Sequence, residues 1–187
     1  MWSGGLDSTW QLLWVLKNTD SKIHAHHIHL VNGEGRTEAE RQAVMGAKSE
    51  LEKIRQFGFS ESVVDDRQLS WVPADMATVM LQAGKKIKEA HKMAEFTPFT
   101  HFTIGTCLEE GHNWTRWVDM MNILKAVLWD ATEVIPVPEF ILPIMVAKAQ
   151  EVIDLGDVPY WSCRRPVKEG EGFNRCGVCK PCSDMVK

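Results

Sequence analysis

The order of its elements is the feature of this 187-residue sequence that most restricts the folds open to it. Short apolar runs, typical of β-strands, alternate with longer stretches whose apolar residues recur every three or four positions, as on one face of an α-helix. The strand-like runs are 22–31, 62–65, 101–106 and 133–137, and the helix-like stretches are 8–16, 37–58, 75–94, 117–128 and 144–155. This alternation predicts an α/β fold, in which a parallel sheet carries helices on both faces.

Composition and charge exclude several classes of protein. Hydrophobic residues make up 44% of the chain and charged residues 25%, which is typical of a globular domain with its own core. No apolar run approaches the ~18 residues of a membrane helix, and residues 1–5 lack the segments of a signal peptide. We therefore expect a soluble, cytoplasmic protein with no membrane partner. The formal net charge of −4 argues against a protein that coats nucleic acid, so a nucleic-acid partner is not expected.

A glycine-rich loop, Ser-Gly-Gly-Leu-Asp-Ser-Thr at 3–9, stands directly before the first predicted helix, with only Met1 and Trp2 ahead of it. Adjacent glycines let backbone N–H groups turn towards one point, and the positive end of the helix dipole faces the same point. The loop therefore predicts a phosphate-binding site, in which Asp7 would act through Mg²⁺. The Gly-Lys-Ser/Thr ending of a Walker A loop is absent. A plain glycine turn that caps a helix is the alternative interpretation.

Four of the five cysteines lie in the last 25 residues, at Cys163, Cys176, Cys179 and Cys182. Thiols stay reduced in the cytosol, and two-residue spacings let neighbouring sulfurs converge on one ion. We predict a closed tetrahedral Zn²⁺ site that orders the tail. An iron–sulfur cluster is the alternative guest for closely spaced cysteines. Cys107, alone on a predicted strand, is interpreted as a core residue.

The loop and the tail together resemble the 7-cyano-7-deazaguanine synthase family of PP-loop (N-type) ATP pyrophosphatases. The family signature is the Ser-Gly-Gly-x-Asp-Ser string found at 3–8, and the family's C-terminus has the pattern Cys-x-many-Cys-x2-Cys-x2-Cys. Weaker similarity occurs at 102–105, at 148–153 and in the Trp-Ser-Cys approach to the first tail cysteine. The resemblance implies a Rossmann-like sheet of the HUP type. It also implies a PP-loop ATP-binding α/β domain at 1–158 and a four-cysteine zinc-binding tail at 159–187 that packs on it.

The family's chemistry sets the expected function. Its enzymes adenylate 7-carboxy-7-deazaguanine with ATP, use ammonia to form the amide, and then convert the amide to the nitrile. The resemblance implies an ATP-dependent carbon–nitrogen ligase, homodimeric like its family, with ATP, Mg²⁺ and Zn²⁺ as cofactors. Asp7, Ser8 and Lys148 are the candidate catalytic residues, although an exposed helix lysine is an equally good interpretation of Lys148. The candidate nucleotide-binding residues in the loop are Ser3, Gly4, Gly5, Leu6, Asp7, Ser8 and Thr9.

Two further candidates lie at the end of the histidine-rich run 22–31. His24 and His26 would face one side of a strand and His27 and His29 the other, so the four cannot converge on one metal ion. His29 and Asn32 are predicted to line the nucleotide pocket, because α/β proteins bind ligands at the carboxyl ends of their strands.

The stretch 110–120 departs from the family's substrate loop, and the acceptor is therefore open. Its aromatic, acidic and arginine residues could still bind a planar acid, which would stack on Trp114 or Trp117 and pair with Arg116. The candidate substrate-binding residues are Glu110, Trp114, Arg116 and Asp119. Two alternatives remain: a PP-loop enzyme that acts on another deazapurine or on tRNA, and a nucleotide-binding protein without catalytic activity.

Overall fold

The computed structural model describes residues 1–65, 67, 75–93, 98–105, 114–130, 134–141 and 145–184, with 75, 114, 116 and 184 described by their backbone alone. In chain order the elements are α1 (Leu6–Asn18), β1 (His24–Val31), α2 (Thr37–Glu52), β2 (Gly58–Asp65), α3 (Asp75–Lys92), β3 (His101–Phe102), α4 (Trp114–Leu128), β4 (Glu139–Phe140), α5 (Lys148–Leu155), β5 (Val167–Glu169), β6 (Gly172–Asn174) and α6 (Lys180–Asp184). None of the helices in these ranges has the length and apolar character needed to cross a bilayer.

The strands form three pairs. β1 and β2 are parallel over eight residues, β3 and β4 are parallel over two, and β5 and β6 form an antiparallel hairpin. The first two residues link the two parallel pairs, because the Trp2 N–H donates to the His26 carbonyl and the Met1 nitrogen donates to the Thr103 carbonyl, both at 2.9 Å. The predicted combination of helices with parallel strands is therefore confirmed, whereas each sheet among the described residues has two strands.

Two hydrophobic clusters hold the helices in place. The first joins α1, α2, α5 and β1 through side chains such as Trp10, Val44 and Leu155. The second joins α3, α4 and the β3 strand through side chains such as Met80 and Leu124, which are fully buried. In both clusters the buried helix residues recur at the three- and four-residue spacing of an amphipathic helix.

Two sequence-based boundaries need correction. The predicted strand at 133–137 is wrong, because residues 134–137 are not in a strand and β4 follows Pro136 and Pro138, which lack the N–H that a ladder requires. At the start of α2 no side chain caps the helix, and the Thr37 hydroxyl donates to the Leu30 carbonyl at 2.8 Å. Helix α2 ends at Glu52, whereas Gly58 opens β2.

Candidate functional site

The glycine-rich loop folds tightly around the N-terminus of α1. Gly4 has φ +80°, and a side chain there would come within 2.4 Å of Val44 Cγ2, so both the conformation and the space require glycine. The Ser3 and Ser8 hydroxyl oxygens lie 2.8 Å apart, and Ser3 Oγ accepts the Gly5 N–H at 3.2 Å. The loop therefore presents its hydroxyl and amide groups at the positive end of the helix dipole.

Gly105, three residues after β3, fixes the position of the N-terminus of α1. A Cβ atom built on Gly105 would lie 2.3 Å from Ser8 Cα and 2.6 Å from the carbonyl carbon of Asp7. Main-chain atoms cannot rotate out of the way, so only glycine allows the first turn of α1 to approach this closely. Gly105 thus lets the chain after β3 pack directly against the backbone of the glycine-rich loop.

A cavity of about 310 Å³ opens beside the helix end. Part of its wall is apolar and includes Ile28, Leu30 and Ile104. Basic side chains complete it, among them Arg36 and Arg164. The sequence-predicted residues in its lining are Ser3, Gly5, Leu6, Asp7, Ser8 and Lys148. A volume of this size, with an apolar wall and converging polar groups, suits a small-molecule ligand.

Gly4 and Thr9, also predicted to bind nucleotide, have structural contacts. The Gly4 carbonyl accepts the Trp161 N–H at 2.8 Å. Thr9 is fully buried, and its hydroxyl oxygen accepts the indole N–H of Trp2 at 3.0 Å. Neither residue is among the described lining of the cavity. Both residues therefore stabilise the loop through contacts outside the cavity.

His29 and Asn32 also lie away from the described lining. His29 Nε2 is 2.8 Å from Glu61 Oε1 on the neighbouring strand, and Asn32 Oδ1 accepts the Glu34 N–H at 3.0 Å. Side chains alternate along a strand, so one face of β1 meets the cavity and His29 belongs to the other. The β1 residues in the lining are His26, Ile28 and Leu30.

The predicted substrate residues are placed only in part. Glu110, like Cys107, lies outside the described residues. Trp114 and Arg116 lie in the first turn of α4, and the structure describes their backbone alone. Asp119 is exposed on α4 and is not among the described lining. Trp117 packs in the second cluster, with its ring centroid 5.2 Å from that of Phe140. Trp117 thus has a core role.

The four tail cysteines form a cluster that could hold a metal ion such as zinc. Their Sγ atoms all lie within 4.8 Å of one another, with separations of 3.4 Å for Cys179–Cys182 and 3.9 Å for Cys179–Cys163. Four thiolates at ~2.3 Å from a tetrahedral Zn²⁺ are ~3.8 Å apart, so the observed spacing fits that ion. Cys163 and Cys182 are buried, which agrees with a closed, structural site.

Backbone amides prepare two of the sulfurs for metal binding. The Val178 and Cys179 amides lower the pKa of Cys176. Burial by itself raises the pKa of Cys179, but amides, including the Arg164 N–H at 3.5 Å, bring this pKa down to about 6. Burial raises the pKa of Cys182 to about 12. A metal ion would displace the remaining protons, since only thiolates bind Zn²⁺.

The tail also contacts the glycine-rich loop directly. Besides the bond from Trp161 to Gly4, the Ser162 hydroxyl oxygen accepts the Leu6 N–H at 3.2 Å. Sequence reasoning missed Ser162 and Arg164 as site residues, because it treated the positions beside Cys163 only as the approach to a metal ligand. Their location, next to a ligand of a tail predicted to pack on the loop, was the available signal.

In comparisons with known proteins, no family model, no curated protein and no solved structure matches this chain.

Proposed function

We propose that this protein is a PP-loop ATP pyrophosphatase, an enzyme that cleaves ATP between its α- and β-phosphates. The observation that carries the proposal is the cavity, whose lining combines five of the six residues of the Ser-Gly-Gly-Leu-Asp-Ser loop, all except Gly4, with the N-terminus of α1 and Lys148. Amide and hydroxyl groups at a helix N-terminus bind phosphate oxygens, and a nearby ammonium group neutralises phosphate charge. The same lining offers the Asp7 carboxylate as a ligand for Mg²⁺.

The proposed class has one HUP-type, Rossmann-like sheet with helices on both faces. On this proposal the two parallel pairs are parts of that sheet, in the order β2, β1, residues 1–2, β3 and β4. The hydrogen bonds from Trp2 to β1 and from Met1 to the β3 segment support this order. The glycine-rich loop then lies at the carboxyl ends of the strands, where open α/β sheets bind their ligands.

Within this class, the particular activity proposed is that of a 7-cyano-7-deazaguanine synthase. A carboxylate oxygen of 7-carboxy-7-deazaguanine attacks the α-phosphorus, the bond to the β-phosphate breaks, and pyrophosphate leaves. Ammonia then attacks the acyl carbon and AMP leaves, which gives the amide. The amide oxygen then attacks the α-phosphorus of a second ATP and pyrophosphate leaves; loss of AMP, which carries away this oxygen, and of the two amide protons gives the nitrile.

Each lining group has an assigned task in these steps. The loop amides and the Ser3 and Ser8 hydroxyls hold the departing pyrophosphate, and Lys148 stabilises charge on the phosphates. The guanidinium groups of Arg36 and Arg164 are suited to an anionic group of a ligand in the cavity. Zn²⁺ in the cysteine tail has a structural role and takes no part in the chemistry.

The test is to incubate the zinc-loaded protein with ATP, Mg²⁺, ammonium and 7-carboxy-7-deazaguanine, and to analyse the products by mass spectrometry. We expect AMP and the nitrile. Asp7→Asn is expected to abolish AMP formation, whereas Asp20→Asn, on the exposed segment after α1, serves as the matched control. If zinc-loaded protein releases no AMP with any acceptor offered, the proposed class is wrong.

A second candidate keeps the PP-loop chemistry but changes the acceptor. It is favoured by the sequence at 110–120, which lacks the family's substrate pattern. AMP release that requires tRNA or another deazapurine acid would support it. Tight ATP binding without AMP release, unaffected by Asp7→Asn, would instead indicate a nucleotide-binding protein without catalytic activity.

A further inference from the structure

Residues 161–164 contact both the metal cluster and the glycine-rich loop. On the loop side, the Trp161 N–H donates to the Gly4 carbonyl at 2.8 Å, and Ser162 Oγ accepts the Leu6 N–H at 3.2 Å. On the metal side, Cys163 contributes its buried sulfur, and the next residue donates its amide to Cys179 Sγ at 3.5 Å. The two sites are thus separated by a single peptide unit.

The contact with Ser162 falls on a part of α1 that needs an external partner. The first amides of a helix have no acceptor within the helix, and side chains at the N-cap usually supply one. Here the N-cap is Gly5, which has no side-chain cap. The Leu6 amide finds its acceptor 156 residues further along the chain. The end of α1 is therefore capped by the tail.

The position of Ser162 depends in turn on the metal cluster. In the described part of the tail, 159–184, the regular elements are the short β5–β6 hairpin and α6, a helix of five residues, so this part has little core of its own. A chain segment of this kind is ordered by its metal ion. Because Ser162 precedes a metal ligand directly, ordering of the tail fixes its hydroxyl beside the loop.

We propose that Ser162 is a positioning residue through which the metal ion and ATP bind cooperatively. The metal orders Ser162, Ser162 holds the Leu6 amide, and the loop is thereby preorganised for phosphate. The nucleotide half of this inference rests on the proposed function. Coupling between two sites is reciprocal, so the factor by which metal raises ATP affinity equals the factor by which ATP raises metal affinity.

Calorimetry on metal-loaded and chelator-treated protein measures the factor by which the metal raises nucleotide affinity. The ligand is α,β-methylene-ATP, which cannot be cleaved between its α- and β-phosphates. Competition with a chromogenic Zn²⁺ chelator, with and without the analogue, measures the reciprocal factor. Loss of one neutral hydrogen bond predicts that Ser162→Ala weakens analogue binding to the metal-loaded protein by about 3- to 10-fold. In this variant the two coupling factors should fall by a similar ratio.

Two variants separate this role from a general effect on the tail. Ser183→Ala is the matched control, because its hydroxyl donates to the Lys180 carbonyl within the tail. It should bind the analogue and Zn²⁺ like the parent protein. Ser162→Thr keeps the hydroxyl group and should restore at least part of the coupling. Equal analogue affinity in Ser162→Ala and Ser183→Ala would overturn the proposal.

Hydrogen exchange without nucleotide tests the coupling independently of the proposed function. Removal of the metal should speed exchange in the peptide that contains 4–9. Metal-loaded Ser162→Ala should show the same fast exchange there, while its tail peptides stay protected. Unchanged exchange at 4–9 in both cases would overturn the coupling. Failure of the metal-loaded parent protein to bind the analogue, with metal-dependent exchange intact, would instead refute the proposed function and leave the mechanical coupling standing.

Discussion

A methyl group added at position 105 is expected to displace the glycine-rich loop. The new carbon of Gly105→Ala would lie 2.3 Å from Ser8 Cα, 2.5 Å from Ser8 N and 2.6 Å from the Asp7 carbonyl carbon. Carbon atoms in contact are ~3.5–4 Å apart, so the first turn of α1 must move by about 1–1.5 Å. The Ser8 side chain is buried and α1 packs in the first core cluster, so this movement strains the core as well as the loop.

The stability cost follows from the same geometry. Overpacking of a tightly packed site costs about 1–3 kcal/mol, which for a chain of this size corresponds to a fall in Tm of roughly 2–12 °C. Gly33→Ala is the matched control, because nothing lies within 4 Å of a Cβ atom placed there and its φ is not positive. We expect this control to stay within about 0.5 kcal/mol of the parent protein.

The assay is urea unfolding of both variants beside the parent protein, together with binding of α,β-methylene-ATP. Gly105→Ala should lower the midpoint and also weaken binding, since the loop amides are displaced from their common point. If Gly105→Ala unfolds at the same urea concentration as Gly33→Ala, the close approach of residue 105 to the first turn of α1 is refuted.

Three further predictions concern the metal, the cavity and pH. The purified protein should contain one Zn²⁺ per chain by elemental analysis, and Cys176→Ser should lose it; the visible absorption of an iron–sulfur cluster would contradict the zinc assignment. Lys148→Ala should weaken ATP binding about 10- to 100-fold, since a hydrogen bond to a charged group is lost; Lys53→Ala, at the exposed position directly after α2, should bind normally. Burial lowers the pKa of His27 to about 4 in the folded protein. As the pH falls below 6.5, the unfolded chain binds a proton at this histidine before the folded chain does, so the free energy of unfolding decreases. Lowering the pH from 7 to 5 should therefore reduce the free energy of unfolding by about 2 kcal/mol through His27 alone. The urea midpoint of His27→Asn should depend correspondingly less on pH.

Local patterns predicted the parts of the fold that depend on neighbours in sequence. The apolar spacing of α3 and the strand pattern of β1 were sufficient, because helix and strand periods place a known face towards the core. Gly156 directly follows α5 with φ +55°, a positive value that favours glycine. The four cysteines were likewise recognisable, because a metal site constrains both residue type and spacing.

Contacts between segments that are distant in sequence could not be predicted from local patterns. The alternation along β1 was predicted correctly, but which of its two faces meets the cavity depends on where the glycine-rich loop packs, so His29 was favoured over Ile28. Asn32 closes a local turn onto the Glu34 amide, a competing use of its side chain. The bond from Leu6 to Ser162 arises only from tertiary packing and leaves no periodic signal.

Arg164 gives the electrostatics of the cavity a dependence on folding. The described lining contains three cationic side chains, those of Arg36, Lys148 and Arg164, against the two carboxylates of Asp7 and Glu40. Arg164 belongs to the tail, and its amide is bound to a cysteine sulfur. When the tail unfolds, the wall loses one of these three cationic side chains, that of Arg164, which lies 3.4 Å from Glu34 Oε1, and with it part of its attraction for an anionic ligand. A shortage of metal at the cysteine cluster would therefore slow the capture of anions by removing a charge from the wall as well as by releasing the loop.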